Sequence, residues 1–139
     1  MKLTARSGLG TVATVAGDAL RRAGIHAVLT GGACANVYTG GRHQSVDADF
    51  IVSSPASRAD VDLSMEEIGF VRRGDRYVRP RVRFYVEFPR GPLAIGNDCH
   101  IRPVEWKTEV GRTLILSAFY PWGDRQSMRV AVRRMSVTS

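Results

Sequence analysis

The sequence predicts an α/β (α+β) fold, a single domain whose mixed β-sheet is flanked by helices. Three observations carry that expectation. Apolar residues recur at helical spacing near the N-terminus, short apolar runs bounded by Gly, Ser and Pro follow, and the two patterns then alternate along the chain. The chain has 139 residues, 44% hydrophobic and 24% charged, a balance that suits one globular domain and excludes wholesale disorder.

Leu9, Val12, Ala13, Ala16, Ala19, Leu20 and Ala23 mark a helix over 9–23, closed by Gly24. His26–Thr30 is short and apolar and reads as a strand running into Gly31-Gly32. A short helix is expected over 33–38, ended by Thr39-Gly40-Gly41. Val46–Val52 begins with alternation and reads as a second strand, broken by Ser53, Ser54 and Pro55. A helix over 57–68 follows, with Gly69 behind it. Phe70–Phe88 is rich in β-branched, aromatic and Arg residues, which predicts a hairpin turning near Gly74-Asp75 and then a strand over 81–88. Pro89, Gly91 and Pro92 end that strand. Strands near 100–107 and 112–116 and a last helix over 123–135 complete the reading.

Twenty Lys and Arg face thirteen Asp and Glu, for a net charge of +7, and all the basic residues except Lys2 and Lys107 are Arg. Side chains that fork onto phosphates are therefore abundant, and the excess points to an anionic partner such as nucleic acid or nucleotide phosphates. No apolar run approaches the roughly 20 residues of a membrane helix. Gly8, Gly10, Gly17 and Asp18 interrupt the N-terminal stretch and make it a poor signal-peptide core. Cys34 and Cys99 alone do not make a disulfide framework, and no Cys/His spacing suits zinc. The expectation is a reduced, cytoplasmic protein without membrane attachment.

The informative segment is Leu29–Val52, LTGGACANVYTGGRHQSVDADFIV. Two glycines between a strand and a helix let backbone N–H groups approach a polyphosphate, and a helix N-terminus behind them favours negative charge. Asp47 and Asp49, at i and i+2 of one strand, project from the same face. Two hard oxygen ligands at that spacing suit Mg²⁺, which binds through one or two carboxylates together with substrate phosphates. Over 81–88 the apolar Val82, Phe84, Val86 and Phe88 alternate with Arg81, Arg83, Tyr85 and Glu87. If the apolar set faces the core and the two strands are neighbours, Glu87 becomes a third acid beside the Asp pair. Arg83, in the same row, would meet a triphosphate. Taken singly, Gly-Gly is a turn, Asp-x-Asp a solvated strand face, and Glu87 a cross-strand partner for Arg81 or Arg83.

Gly-Gly, a helix, Asp-x-Asp on a strand and a later strand acid together resemble the signature of the nucleotidyltransferase superfamily with the polymerase-β-type fold. Gly31, Gly32, Asp47, Asp49 and Glu87 match it element by element. Arg42 and Ser45 resemble the Arg and hydroxyl residue that minimal and toxin-type members carry before the first Asp, and the fourteen residues between Gly32 and Asp47 resemble the AbiEii-like toxin branch. VEFPRGPLAIG and FYPWGDRQSM are similar to segments of small members of that branch. The resemblance implies metal-dependent transfer of a nucleoside monophosphate from an NTP to a hydroxyl on tRNA or on a protein, as in toxin-antitoxin systems. Asp47, Asp49 and Glu87 would be catalytic and hold Mg²⁺, with Mn²⁺ as the alternative. Gly31, Gly32, Arg42, Ser45 and Arg83 would bind the nucleotide. Set against the family pattern, the resemblance implies a shortening between Ser117 and Ala118 and, over the 139 residues, leads us to expect no separate helical acceptor domain. A homodimer or a partner protein would then complete the acceptor side; otherwise the chain is a reduced form.

Arg72, Arg73, Arg76, Arg79, Arg81, Arg83 and Arg90 fall close together, with Tyr77 and Tyr85 interleaved. They read as an RNA-facing groove or as the polar face of a hairpin. His43 reads as a solvated loop residue, Cys34 as small and buried, and Trp106, Phe119, Tyr120 and Trp122 as core. The rival from another class is a non-catalytic nucleotide- or RNA-binding module of the same fold.

Overall fold

The stripe of apolar residues near the N-terminus forms α1 (Leu9–Arg22), which buries Val12, Ala13, Ala16, Ala19 and Leu20 completely. The computed structural model describes residues 3–38, 40, 44–52, 55–89 and 103–116. Arg21 and Arg22 in the last turn of α1 complement the negative end of its dipole. The helix then stops in a Schellman motif: Gly24 takes φ 77°, its N–H donates to Arg21, and the Ile25 N–H donates back to Leu20. Buried Ile25 and Leu20 supply the apolar contact that accompanies such a stop.

β1 (Ala27–Thr30) follows, buried at every position. It passes directly into α2 (Gly31–Tyr38), so Gly31 and Gly32 form the first turn of the helix and do not precede it. β2 (Asp47–Val52) runs antiparallel to β1, with Thr30 opposite Asp49 and Leu29 opposite Phe50. α3 (Arg58–Glu67) starts in a capping box in which Ser57 Oγ accepts from the Asp60 N–H and the Asp60 carboxylate accepts from the Ser57 N–H. It ends in a second Schellman motif, with Gly69 at φ 88° and Phe70 donating back to Met65.

The hairpin expected at Gly74-Asp75 is present as β3 (Val71–Arg73) and β4 (Arg76–Val78). The strand expected over 81–88 is not. Arg79-Pro80-Arg81-Val82 closes a turn, with Val82 N–H donating to Arg79 C=O and Arg81 at φ 70°, so β5 covers only Tyr85–Glu87. Pro80 ahead of a residue with positive φ is the pattern of a type II turn, and it interrupts an alternation that continues in the side chains. β6 (Pro103–Thr108) and β7 (Gly111–Leu116) form the last described hairpin. The helix expected over 123–135, the region around Cys99 and the aromatic residues Phe119, Tyr120 and Trp122 lie outside the described residues.

The seven strands of the described residues form one mixed sheet in the order β3-β4-β5-β2-β1-β7-β6. β2 pairs with β5 and β1 with β7 in parallel; the other neighbours are antiparallel. Leu29, Phe50, Val86, Tyr77, Ile115 and Trp106 point to the face that α1 covers and join the core. Strand alternation sends Asp47, Asp49, Tyr85, Glu87 and Arg76 to the opposite face. No helix among the described residues is long and apolar enough to cross a membrane.

Candidate metal centre

Asp47 and Asp49 share a face because they are two apart on β2, and parallel pairing then brings β5 alongside with Asp49 opposite Glu87 and Asp47 opposite Tyr85. A ligand oxygen from each of Asp47, Asp49 and Glu87 lies within 4.8 Å of the other two. All three side chains are half-buried. The expectation that β2 and β5 are neighbours is thus met, and the two Asp and Glu87 meet at one place on the sheet.

Burial raises the Asp49 pKa to about 7, helped by the neighbouring Asp47 and Glu87 carboxylates. Burial and Asp47 likewise raise Glu87, and Arg76 partly offsets them. Arg76 Nε lies 3.3 Å from Glu87 Oε1, and its guanidinium sits 4.5 Å from the Tyr85 ring centroid. Asp49 Oδ1 is buried and has no hydrogen-bond partner among the described residues. Such an atom is costly unless something compensates it. Among the described residues these three carboxylates have one ion pair, Arg76 on Glu87, and one orphaned oxygen; they are a hard-oxygen donor set that fits a small divalent cation.

The surrounding backbone is organised by hydroxyls. Thr30 Oγ1 donates to the Asp49 carbonyl at 3.2 Å. Ser45 Oγ lies 3.2 Å from the Asp47 carbonyl and 3.3 Å from Asp47 Oδ1, so it orients the first aspartate. The first turn of α2, with Gly31 and Gly32, begins one residue beyond the Thr30–Asp49 pair, which sets the positive end of that helix at the acidic cluster. Arg83 is exposed, precedes β5, and lies 5.3 Å from the Phe84 ring centroid, so it does not continue the strand row of Glu87. Arg42 and His43 lie outside the described residues.

The arginine cluster divides. Arg72 pairs with Asp62 at 3.1 Å, and Tyr77 Oη donates to the same carboxylate, whose pKa this contact, followed by Arg72, holds low. Arg79 donates to the Ile68 carbonyl at 3.0 Å. Those two arginines therefore tie the hairpin to α3. In the sequence Thr30 carries no site signal, and Arg76 and Tyr85 read only as part of the arginine cluster, not as neighbours of the acids. Only the cross-strand register places them there, and no local pattern encodes that register. Comparison with protein-family models, curated proteins and solved structures gave no significant match.

Proposed function

We propose that the chain is a metal-dependent nucleotidyltransferase that moves a nucleoside monophosphate from an NTP to a hydroxyl on tRNA or on a protein, in the manner of toxin-antitoxin enzymes. One observation carries the reading: Asp47, Asp49 and Glu87 converge, with Asp49 Oδ1 buried and unpartnered, at the end of β2 where α2 begins.

Asp47 and Asp49, with Glu87, would hold Mg²⁺ or Mn²⁺. When bound, such a cation neutralises phosphate charge and supports in-line displacement. The residues of the chain supply the rest. Backbone N–H groups at the start of α2 favour the anionic triphosphate. Ser45 and Thr30 hold the two aspartates in place through Asp47 and the Asp49 carbonyl. Glu87, the third acid beside the two aspartates, accepts the proton of the attacking hydroxyl. The hydroxyl oxygen forms a bond to the α-phosphorus as the bond to pyrophosphate breaks. No covalent enzyme intermediate is required; positioning and charge neutralisation carry the rate.

The Arg76–Glu87 pair favours a second reading, a binding module that has kept the fold and lost catalysis, because a guanidinium already occupies the third acid. Incubation with each α-labelled NTP, Mg²⁺ and total tRNA separates the two, with an Asp47→Asn/Asp49→Asn variant as control. Label on tRNA or on the protein, dependent on both aspartates and the cation, is the expected result. A folded wild-type protein that transfers no label to either acceptor, while still binding RNA without metal, overturns the enzyme in favour of the binder.

A further inference from the structure

Cross-strand register links the acidic cluster to the basic hairpin in one unbroken row. Thr30 pairs with Asp49, Asp49 with Glu87, Glu87 with Arg76, and Arg76 with Arg73. From Asp49 to Arg73 the row crosses three strand spacings, about 14 Å. Arg73 and Arg76 are directly opposed like charges, an arrangement that weakens a sheet. Arg76 finds Glu87; Arg73, Arg81 and Arg83 are exposed and form no ion pair among the described residues. Folding therefore gives no account of Arg73 and Arg81, and Arg83 has only the Phe84 ring beside it, whereas Arg72 and Arg79 are tied to α3 and its C-cap.

Arg81 adds an independent observation. It holds φ 70° at the third position of the Arg79–Val82 turn, where glycine is the unstrained residue. A side chain kept there against the backbone's preference argues for a use of the guanidinium. Tyr85, under the Arg76 guanidinium, puts a ring beside that charge, the combination of cation and stacking surface that single strands engage.

We propose that Arg73, Arg76, Arg81 and Arg83 bind the backbone of a single-stranded polynucleotide and lead it along the β5-β4-β3 side of the sheet away from the acidic cluster. Binding stands on the Arg76–Arg73 register, the Tyr85 ring and the exposed, unpaired Arg81 and Arg83 in the connection between β4 and β5. That the strand's terminal hydroxyl is the acceptor rests on the nucleotidyl transfer proposed above.

The test is fluorescence anisotropy of a labelled short single-stranded RNA, and of DNA of the same sequence, in EDTA without NTP across a salt series. Wild type is compared with Arg73→Ala/Arg81→Gly/Arg83→Ala and with Asp49→Asn. Each phosphate contact to a single strand adds roughly 0.7 to the salt slope, so the triple variant's slope is expected to be shallower by about 2. The triple variant therefore binds most weakly relative to wild type at low salt, and that deficit shrinks roughly 20-fold over a fourfold rise in salt. Asp49→Asn is expected to bind like wild type or better. RNA and DNA binding that both respond this way support the proposal, and a preference between them names the sugar. Arg81→Gly alone, with an unchanged or higher melting temperature, shows that the turn survives. Wild-type affinity and slope in the triple variant overturn the proposal, as does absence of binding or equal competition by oligoglutamate. Mg²⁺ binding, read on the same preparations by thermal shift, fails or holds separately, so loss of the track and loss of the metal site are distinguishable.

Discussion

Arg76 joins two regions of opposite charge, its guanidinium shared between the Glu87 carboxylate and the Tyr85 ring. Any cation held by Asp47, Asp49 and Glu87 competes with it for Glu87. Removing it also leaves three carboxylates repelling one another with less relief, which favours the cation further. Both effects have the same sign, so Arg76→Ala is expected to raise Mg²⁺ affinity. The pair is half-exposed, and exposed pairs contribute about 0.2–1 kcal/mol, so the gain is at most roughly fivefold. A Mg²⁺ titration followed by melting temperature at pH 8, above the Asp49 pKa, checks it; unchanged or weaker Mg²⁺ binding would show that Arg76 is not a competitor for the site.

Helix α1 and strand β7 show what the fold demands of single positions. A Cβ on Gly17 would collide with Oγ1 and Cβ of Thr113, and Thr113 is buried. On the same helix, Asp18 Oδ1 accepts from the Arg112 N–H at 3.1 Å, and Gly111 at φ 147° brings the β6–β7 turn close enough for that bond. Gly17→Ala must therefore push α1 off the sheet. A loss of about 1–3 kcal/mol is expected, seen as a lower urea midpoint with the slope unchanged; a midpoint equal to wild type would mean that this contact yields freely. In the sequence Gly17 reads only as an interruption of a signal-like stretch, because its partner is 96 residues away. Elements defined by nearby residues were legible: α1 from its apolar spacing, α3 and the first hairpin from their bounding glycines. The side chains of Val82 and Phe84 do pack toward the core as the alternation implies, yet the backbone there is a turn, since Pro80 and Arg81 set φ and periodicity does not report it. The Asp47–Asp49 face followed from a period of two, whereas their meeting with Glu87 required knowing that β2 and β5 pair in parallel and in which register.

At the scale of the whole molecule, the two faces of the sheet differ among the described residues: Leu29, Phe50, Val86 and Ile115 face α1, while Asp47, Asp49 and Glu87 gather on the other face, next to buried Val28 and Thr30. The stability of the protein should record this division as pH changes. Asp62 and Asp18 are held below the usual carboxylate range. For Asp62 the cause is first the Tyr77 hydroxyl and then Arg72. For Asp18, burial acts upward, but Arg21, the Arg112 N–H and Arg22 outweigh it. The stability they contribute is present above the unfolded value of 3.8 and is lost as pH falls through their lowered folded values. Asp49 acts in the other direction. Its folded pKa is about 7 against 3.8, so the folded state holds a proton that the unfolded state releases, and stability declines as pH rises from about 4 to 7. In EDTA the melting temperature is therefore expected to peak in mildly acid solution, between about pH 4 and 5. A divalent cation bound by Asp47, Asp49 and Glu87 binds the deprotonated form and stabilises it by mass action, so Mg²⁺ should raise the melting temperature at pH 8 and leave it nearly unchanged at pH 5. Asp49→Asn removes the titrating group: the decline above pH 5 should flatten in EDTA, and the Mg²⁺ response should shrink. Scanning calorimetry of both proteins at pH 5 and 8, with and without Mg²⁺, decides the matter. A wild-type protein equally stable at both pH values in EDTA, with no Mg²⁺ effect at either, would mean that the three carboxylates form no cation site.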